Sequence, residues 1–158
     1  MNKEGSWEEC MESGSSITMS PDRAKAQSLL DTAVGRNAFL GEHEVRENNA
    51  NYLFEGYYSS VLEMLHALLI LQGYKVANHI CLGYYLRDVL NKNNLFRLFD
   101  DCRLKRNALT YYGRKMDFAV AKKAIASTQK LADELNVIIG DKRSHAATLY
   151  HPPIGAGS

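Results

Sequence analysis

Residues 95–113, LFRLFDDCRLKRNALTYYG, decide how the chain is read: their apolar residues recur at helical spacing, and one position on the stripe is charged. At about 100° per residue, Leu95, Phe99, Cys102, Arg106 and Leu109 fall on one face of a helix that Gly113 terminates. Arg106 sits in the middle of that stripe. An unpaired guanidinium in a dry core is very costly, so Arg106 must find a partner, line a wet cleft or stand at an interface where its charge is used. Asn107 follows it, and Tyr111 and Tyr112 close the helix.

On either side of this stretch the pattern is also helical. Phe54, Tyr57, Tyr58, Val61, Leu62, Leu65, Leu68 and Leu69 repeat at spacings of three and four up to Gly73, with Asn48 or Asn49 as the cap. This is the expected core helix, and Gly56 inside it, at a cost of about 1 kcal/mol relative to alanine, suggests close approach of another helix. Asn78 caps a helix carrying Ile80, Leu82, Tyr85, Leu86, Val89 and Leu90, which the segment Asn91–Asn94 breaks. Upstream, Ser20-Pro21-Asp22 combines an N-cap serine, a proline at the first helical position and an acid, opening a helix that ends near Leu40-Gly41. Downstream, Asp117 caps a last helix whose stripe runs from Ala121 to Ile139 and stops at Gly140. No proline lies between Asp22 and His151, and no stretch sustains period-two alternation. The expected fold is all-α, an antiparallel up-and-down bundle of four to five helices over residues 20–140. Residues 1–19, rich in Gly, Ser and Glu, read as a disordered leader, and 141–158 as a flexible tail.

A chain of 158 residues, 46% of them hydrophobic, can bury one sizeable core. Its formal net charge of +1 excludes a strongly basic or acidic overall character, so any electrostatic function must come from local clustering. Such a cluster exists: Arg103, Lys105, Arg106, Arg114, Lys115, Lys122 and Lys123 stand against the single acid Asp117. Cys10, Cys81 and Cys102 match no zinc spacing and read as reduced thiols of a cytoplasmic protein. The longest apolar run, Ala67–Leu71, is far below the roughly 20 residues of a membrane span. Residues 1–20 lack the apolar core of a secretory signal. The five histidines show neither HExxH nor paired i,i+4 spacing, so no metal and no cofactor is expected. His66 reads as a hydrogen-bonded edge residue of the core helix and His79 as a residue opening the next one. Phosphate-binding, dinucleotide and nucleophile-elbow glycine motifs are absent.

The run from Arg106 to Tyr112, the order of the helices and the segment from Tyr57-Tyr58-Ser59-Ser60 through Gly73-Tyr74-Lys75 to His79 resemble the HEPN superfamily of prokaryotic helical proteins. The resemblance covers roughly residues 50–139. The family pattern is an arginine, commonly followed by a polar residue such as Asn, with a histidine four to six residues further on. Arg106 and Asn107 match it, and Tyr111 stands where the histidine belongs. The resemblance implies a helical bundle that forms a homodimer, whose two motif helices meet in a composite cleft. It also implies a role within a toxin–antitoxin pair or beside a nucleotidyltransferase, since many members are metal-independent endoribonucleases of that kind. In them the arginine holds the scissile phosphate and the histidine moves protons. An imidazole with a pKa near 6.5 suits that task, and a tyrosine near 10 is a poor base.

Three readings follow. In the first, the protein binds RNA or a nucleotide phosphate through Arg103, Lys105, Arg106, Asn107, Arg114 and Lys115, with Tyr111 and Tyr112 stacking on bases or accepting a nucleotidyl group. In the second it is a ribonuclease using Arg106 and Asn107, with Tyr111, Tyr112 or a histidine from elsewhere as the proton carrier. In the third it is a structural or interaction domain in which Arg106 pairs with Asp100 or Asp101 across a dimer axis.

Overall fold

The computed structural model describes residues 4–149, with side chains through Ser144. In chain order they form α1 (Trp7–Ser13), β1 (Ser16–Thr18), α2 (Arg23–Gly41), α3 (Ala50–Leu71), β2 (Tyr74–Val76), α4 (His79–Tyr84), a π-helical turn (Tyr85–Val89), α5 (Asn93–Tyr112) and α6 (Phe118–Leu149). β1 and β2 pair antiparallel, Ser16 opposite Val76 and Thr18 opposite Tyr74. The expected up-and-down bundle of four to five helices is therefore corrected to six helices and a small sheet among the described residues. Two three-residue strands are too short to show alternation, and their pairing is not local.

α3 is the centre of the core. Phe54, Tyr58, Val61, Leu65, Leu68 and Leu69 are all but completely buried, because the stripe read from the sequence is wide enough to meet α2, α5 and α6. Gly56 lets α2 close in: a Cβ there would lie within 2.9 Å of both Leu40 methyls. Arg36 clamps the same pair of helices through two bonds to the Glu63 carboxylate, at 2.6 and 2.8 Å. At the start of α2, Asp22 rather than Ser20 is the N-cap, its Oδ1 accepting from Lys25 N at 2.9 Å, so Pro21 precedes the helix.

The stretch read as a disordered leader is folded from Glu4 onward. Ser6 caps α1 by accepting from Glu9 N at 3.1 Å. Trp7 is buried with its ring edge-on to Tyr74 and Tyr85, and its backbone N–H donates to Asp88 Oδ2 at 2.8 Å. Cys10 is bonded to Cys81, so the reading of three reduced thiols is corrected: only Cys102 is free, and it is buried. The buried residues of α1 are one tryptophan and one cysteine, and averages over their polar neighbours conceal them. The support that reduced thiols lent to a cytoplasmic location falls with that correction.

One helix keeps its expected end but changes form, and another runs past its expected stop. The helix capped by Asn78, whose Oδ1 accepts from Cys81 N at 3.1 Å, widens into the π turn after Tyr84 and closes at Leu90, before Asn91 takes a φ of 56°. α6 does not stop at Gly140 but continues to Leu149. A mid-helix glycine costs about 1 kcal/mol, and Arg143, one turn further on, ties the helix to α2 by donating to Gln27 Oε1 at 2.6 Å. The remainder of the expected flexible tail, 150–158, lies outside the described residues.

Candidate functional site

α5 presents Arg106 on the stripe where the sequence placed it. Leu95, Phe99, Cys102 and Leu109 are buried, and the Phe99 ring stacks on Tyr58 of α3, 6.1 Å between centroids and 11° between planes. One turn beyond Cys102, Arg106 is half-buried, and its guanidinium carbon lies 5.9 Å from the Tyr58 ring centre and 5.8 Å from that of Tyr111. Aromatic faces attract the cation without neutralising it. The carboxylates on the same helix are engaged elsewhere: Asp100 accepts from Arg103 Nε at 2.9 Å and Nη2 at 2.8 Å, and Asp101 takes Lys105. Arg106 makes no ion pair among the described residues.

Behind the guanidinium, the Tyr58 hydroxyl lies 3.3 Å from His79 Nδ1. Burial pushes the Tyr58 phenol well above its ordinary range, outweighing Arg106 and Arg103, so it stays protonated. His79 opens α4 and is half-buried; burial, then the positive charges of Arg106, His66 and Arg103, hold its pKa below the usual imidazole value. His66 on α3 is lowered too, by burial and then by Lys25. The fold therefore sets a neutral histidine behind the arginine on a different helix. Sequence reading assigned His79 a structural part and found no role for Tyr58 beyond the core. No spacing rule could have joined residues of three separate helices.

Beyond Arg106, around the end of α5, the surface is aromatic and basic. Tyr111 and Tyr112 are 68% and 73% exposed, free to receive a flat ligand. Gly113 turns the chain in the left-handed region at φ 62°, and Arg114 N donates to Ala108 O at 3.0 Å, which ends α5 directly after the tyrosine pair. The loop that follows is fixed by buried Asn51, which donates to Met116 O at 3.1 Å and accepts from Met116 N at 2.8 Å. That anchor sets exposed Tyr52 beside Lys115, 5.6 Å from ammonium to ring centre, while Arg114 covers Tyr112 at 5.6 Å and Lys122 covers Phe118 at 4.4 Å.

Of the residues singled out from the sequence, Arg106 and Tyr111 are in contact, and Tyr112, Arg114 and Lys115 extend the same end of α5. Asn107 is half-buried and makes no side-chain hydrogen bond among the described residues. Arg103 and Lys105 are not free, each being tied to an aspartate. Among the described residues no three His, Cys, Asp or Glu side chains converge as a metal site would need, and no helix is long and apolar enough to cross a membrane. Comparison with models of known families, with curated proteins and with solved structures finds no match to the chain.

Proposed function

We propose that this is a HEPN-like protein that binds single-stranded RNA, with Arg106 on a backbone phosphate and Tyr111, Tyr112 and Tyr52 stacking on bases. The observation that carries the reading is the unpaired Arg106 guanidinium beside exposed Tyr111, with exposed Tyr112 and Tyr52 in the segments next to it covered by Arg114 and Lys115. Charge-assisted contacts to phosphate and base–aromatic stacking are the two ingredients of single-strand binding. The resemblance on which this rests extends the proposal to a homodimer working beside a nucleotidyltransferase, within a toxin–antitoxin pair. Sedimentation of the pure protein tests the dimer, with a monomer at micromolar concentration counting against it.

The deciding experiment is fluorescence anisotropy on a labelled single-stranded RNA, with EDTA present. Arg106→Ala is expected to weaken binding about 10- to 100-fold, the worth of a charge-assisted phosphate contact, and Tyr112→Ala at least about 5-fold. Arg106→Ala should also reduce the slope of affinity against salt, and Tyr112→Ala should leave it unchanged, since stacking is not ionic. Equal affinity of wild type and both variants would remove the reading.

A second reading, metal-independent cleavage, is favoured by the position of His79. With Nδ1–H donating to the Tyr58 oxygen, Nε2 keeps its lone pair and can take the proton of a ribose 2′-hydroxyl. The 2′-oxygen then attacks phosphorus, the bond to the 5′-oxygen breaks, and that oxygen gains a proton from water, leaving a 2′,3′-cyclic phosphate and a 5′-hydroxyl. Arg106 would hold the charge gathering on the phosphoryl oxygens. RNA products carrying these ends, lost in His79→Gln but retained in Tyr111→Phe, would support it. Intact RNA after prolonged incubation with folded wild type would retire it.

A further inference from the structure

A second cleft, of about 420 Å³, opens between the beginning of α2, the end of α3 and the last turns of α6. Three cations line it, Arg23, Lys142 and Arg143, together with the amides of Gln27 and Gln72, and Leu71 and Pro21 supply an apolar side. No carboxylate is in the lining, and none of the three cations makes an ion pair among the described residues. Asp141, next to Lys142 in the chain, lies outside this lining and faces a neighbouring pocket. Asp22 caps α2, and Asp31 accepts from Gln27 Nε2 at 2.7 Å, which in turn aims Gln27 Oε1 at Arg143.

This concentration of like charge is a product of the fold. Arg23 lies more than a hundred residues from Lys142 and Arg143 in the chain, and the two arrive only because α6 continues through Gly140. Three positive side chains held around one cavity repel one another, and an anion entering it relieves that repulsion. The volume lies within the range of small-ligand sites, and the mix of an apolar side with a few convergent polar groups is their usual lining. We infer that this cleft is a binding site for a phosphate-bearing ligand. A nucleoside polyphosphate fits it by charge and by size, its phosphates among Arg23, Lys142 and Arg143 and its base against Leu71 and Pro21. A backbone phosphate of RNA offers the same group from a second source. The inference is independent of the Arg106 reading, since the two sites share no residue.

The test is calorimetric titration of the full chain with ATP in EDTA, with inorganic phosphate and with a single-stranded RNA, at low and moderate salt. Wild type is expected to bind ATP in the micromolar range. Arg23→Ala/Arg143→Ala should weaken that at least about tenfold, as loss of two charged contacts requires, and Arg106→Ala should leave it unchanged. Lys142→Glu keeps the bond from Arg143 to Gln27 and inverts one charge, so it should abolish ATP binding in a protein that melts as wild type does. If ATP is ignored but the double variant weakens RNA binding about tenfold or more, the phosphate comes from RNA and the site stands. Failure of ATP, phosphate and RNA alike to respond to these substitutions would overturn the inference, whatever Arg106→Ala does to RNA.

Discussion

Arg106 interrupts an apolar stripe, and the interruption could be read from the sequence because Leu95, Phe99, Cys102 and Leu109 define the stripe so clearly. What surrounds it could not. The Tyr58 hydroxyl and His79 reach it from α3 and α4, through the packing of Phe99 onto Tyr58 and of Gly83 against Phe96 and Phe99. The substitution Arg106→Lys separates charge from shape: an ammonium keeps the positive charge but loses the planar fork and the stacking, so RNA affinity should fall between those of wild type and Arg106→Ala. His79 and His66 give stability a pH dependence of definite sign. Their folded pKa values lie below about 6.5, so just below that pH the unfolded chain binds more protons than the folded one. Stability is therefore fully present above about pH 6.5 and is lost as pH falls toward the folded values. Urea midpoints measured from about pH 7.5 down to about pH 5 should decline in wild type and decline less in His79→Gln. A flat wild-type profile would show that neither imidazole is held neutral.

At the scale of elements, the long amphipathic helices were legible and the short pieces were not. α3 and α5 declare themselves by eight and four apolar positions at helical spacing. α1 has seven residues, of which Trp7 and Cys10 are buried and Met11 partly so. The π turn after α4 leaves no mark in the periodicity, and α6 passes a glycine that reads as a stop because its tether, Gln27, lies on the far side of the chain. The crossing of α4 over α5 is the contact on which the candidate site depends most. A Cβ at Gly83 would meet ring atoms of both Phe96 and Phe99 at 3.0 Å, and Phe99 has no room to retreat because it is fully buried against Tyr58. Gly83→Ala should thus cost about 1–3 kcal/mol by overpacking, more than the roughly 1 kcal/mol that alanine returns in helix propensity. It should also weaken RNA binding through displacement of the Tyr58 ring. A variant as stable as wild type, read by thermal unfolding, would place the crossing elsewhere.

For the whole molecule, the amino-terminal arm converts a helical bundle into a cross-linked one. The arm is held by the β1–β2 pairing, by Trp7 between Tyr74 and Tyr85, by the bonds from Tyr84 Oη to Glu4 O at 3.1 Å and from Arg87 Nη2 to Gly5 O at 2.9 Å, and by the disulfide. Cys10 and Cys81 are 71 residues apart, so in the chain-entropy account their bond removes about 4 kcal/mol of freedom from the unfolded state. Replacing both with serine should lower the melting temperature by roughly 10 °C and leave the RNA affinity of the folded protein within about 2-fold, because Asn78 and Tyr58 still fix His79. A drop of affinity in step with the drop in stability would mean that the arm belongs to the site.

The positions of the three cysteines also impose an order of events as the chain is made. When Cys81 is added, Cys10 is already in the chain, and Cys102 is still 21 residues from existing. At roughly 5–20 residues per second, that interval is about one to four seconds in which Cys102 cannot compete for either partner. A full-length chain diluted from denaturant has no such interval, since all three thiols compete from the start. Oxidative refolding should then yield mispaired species that synthesis from the amino terminus avoids, and Cys102→Ser should remove them.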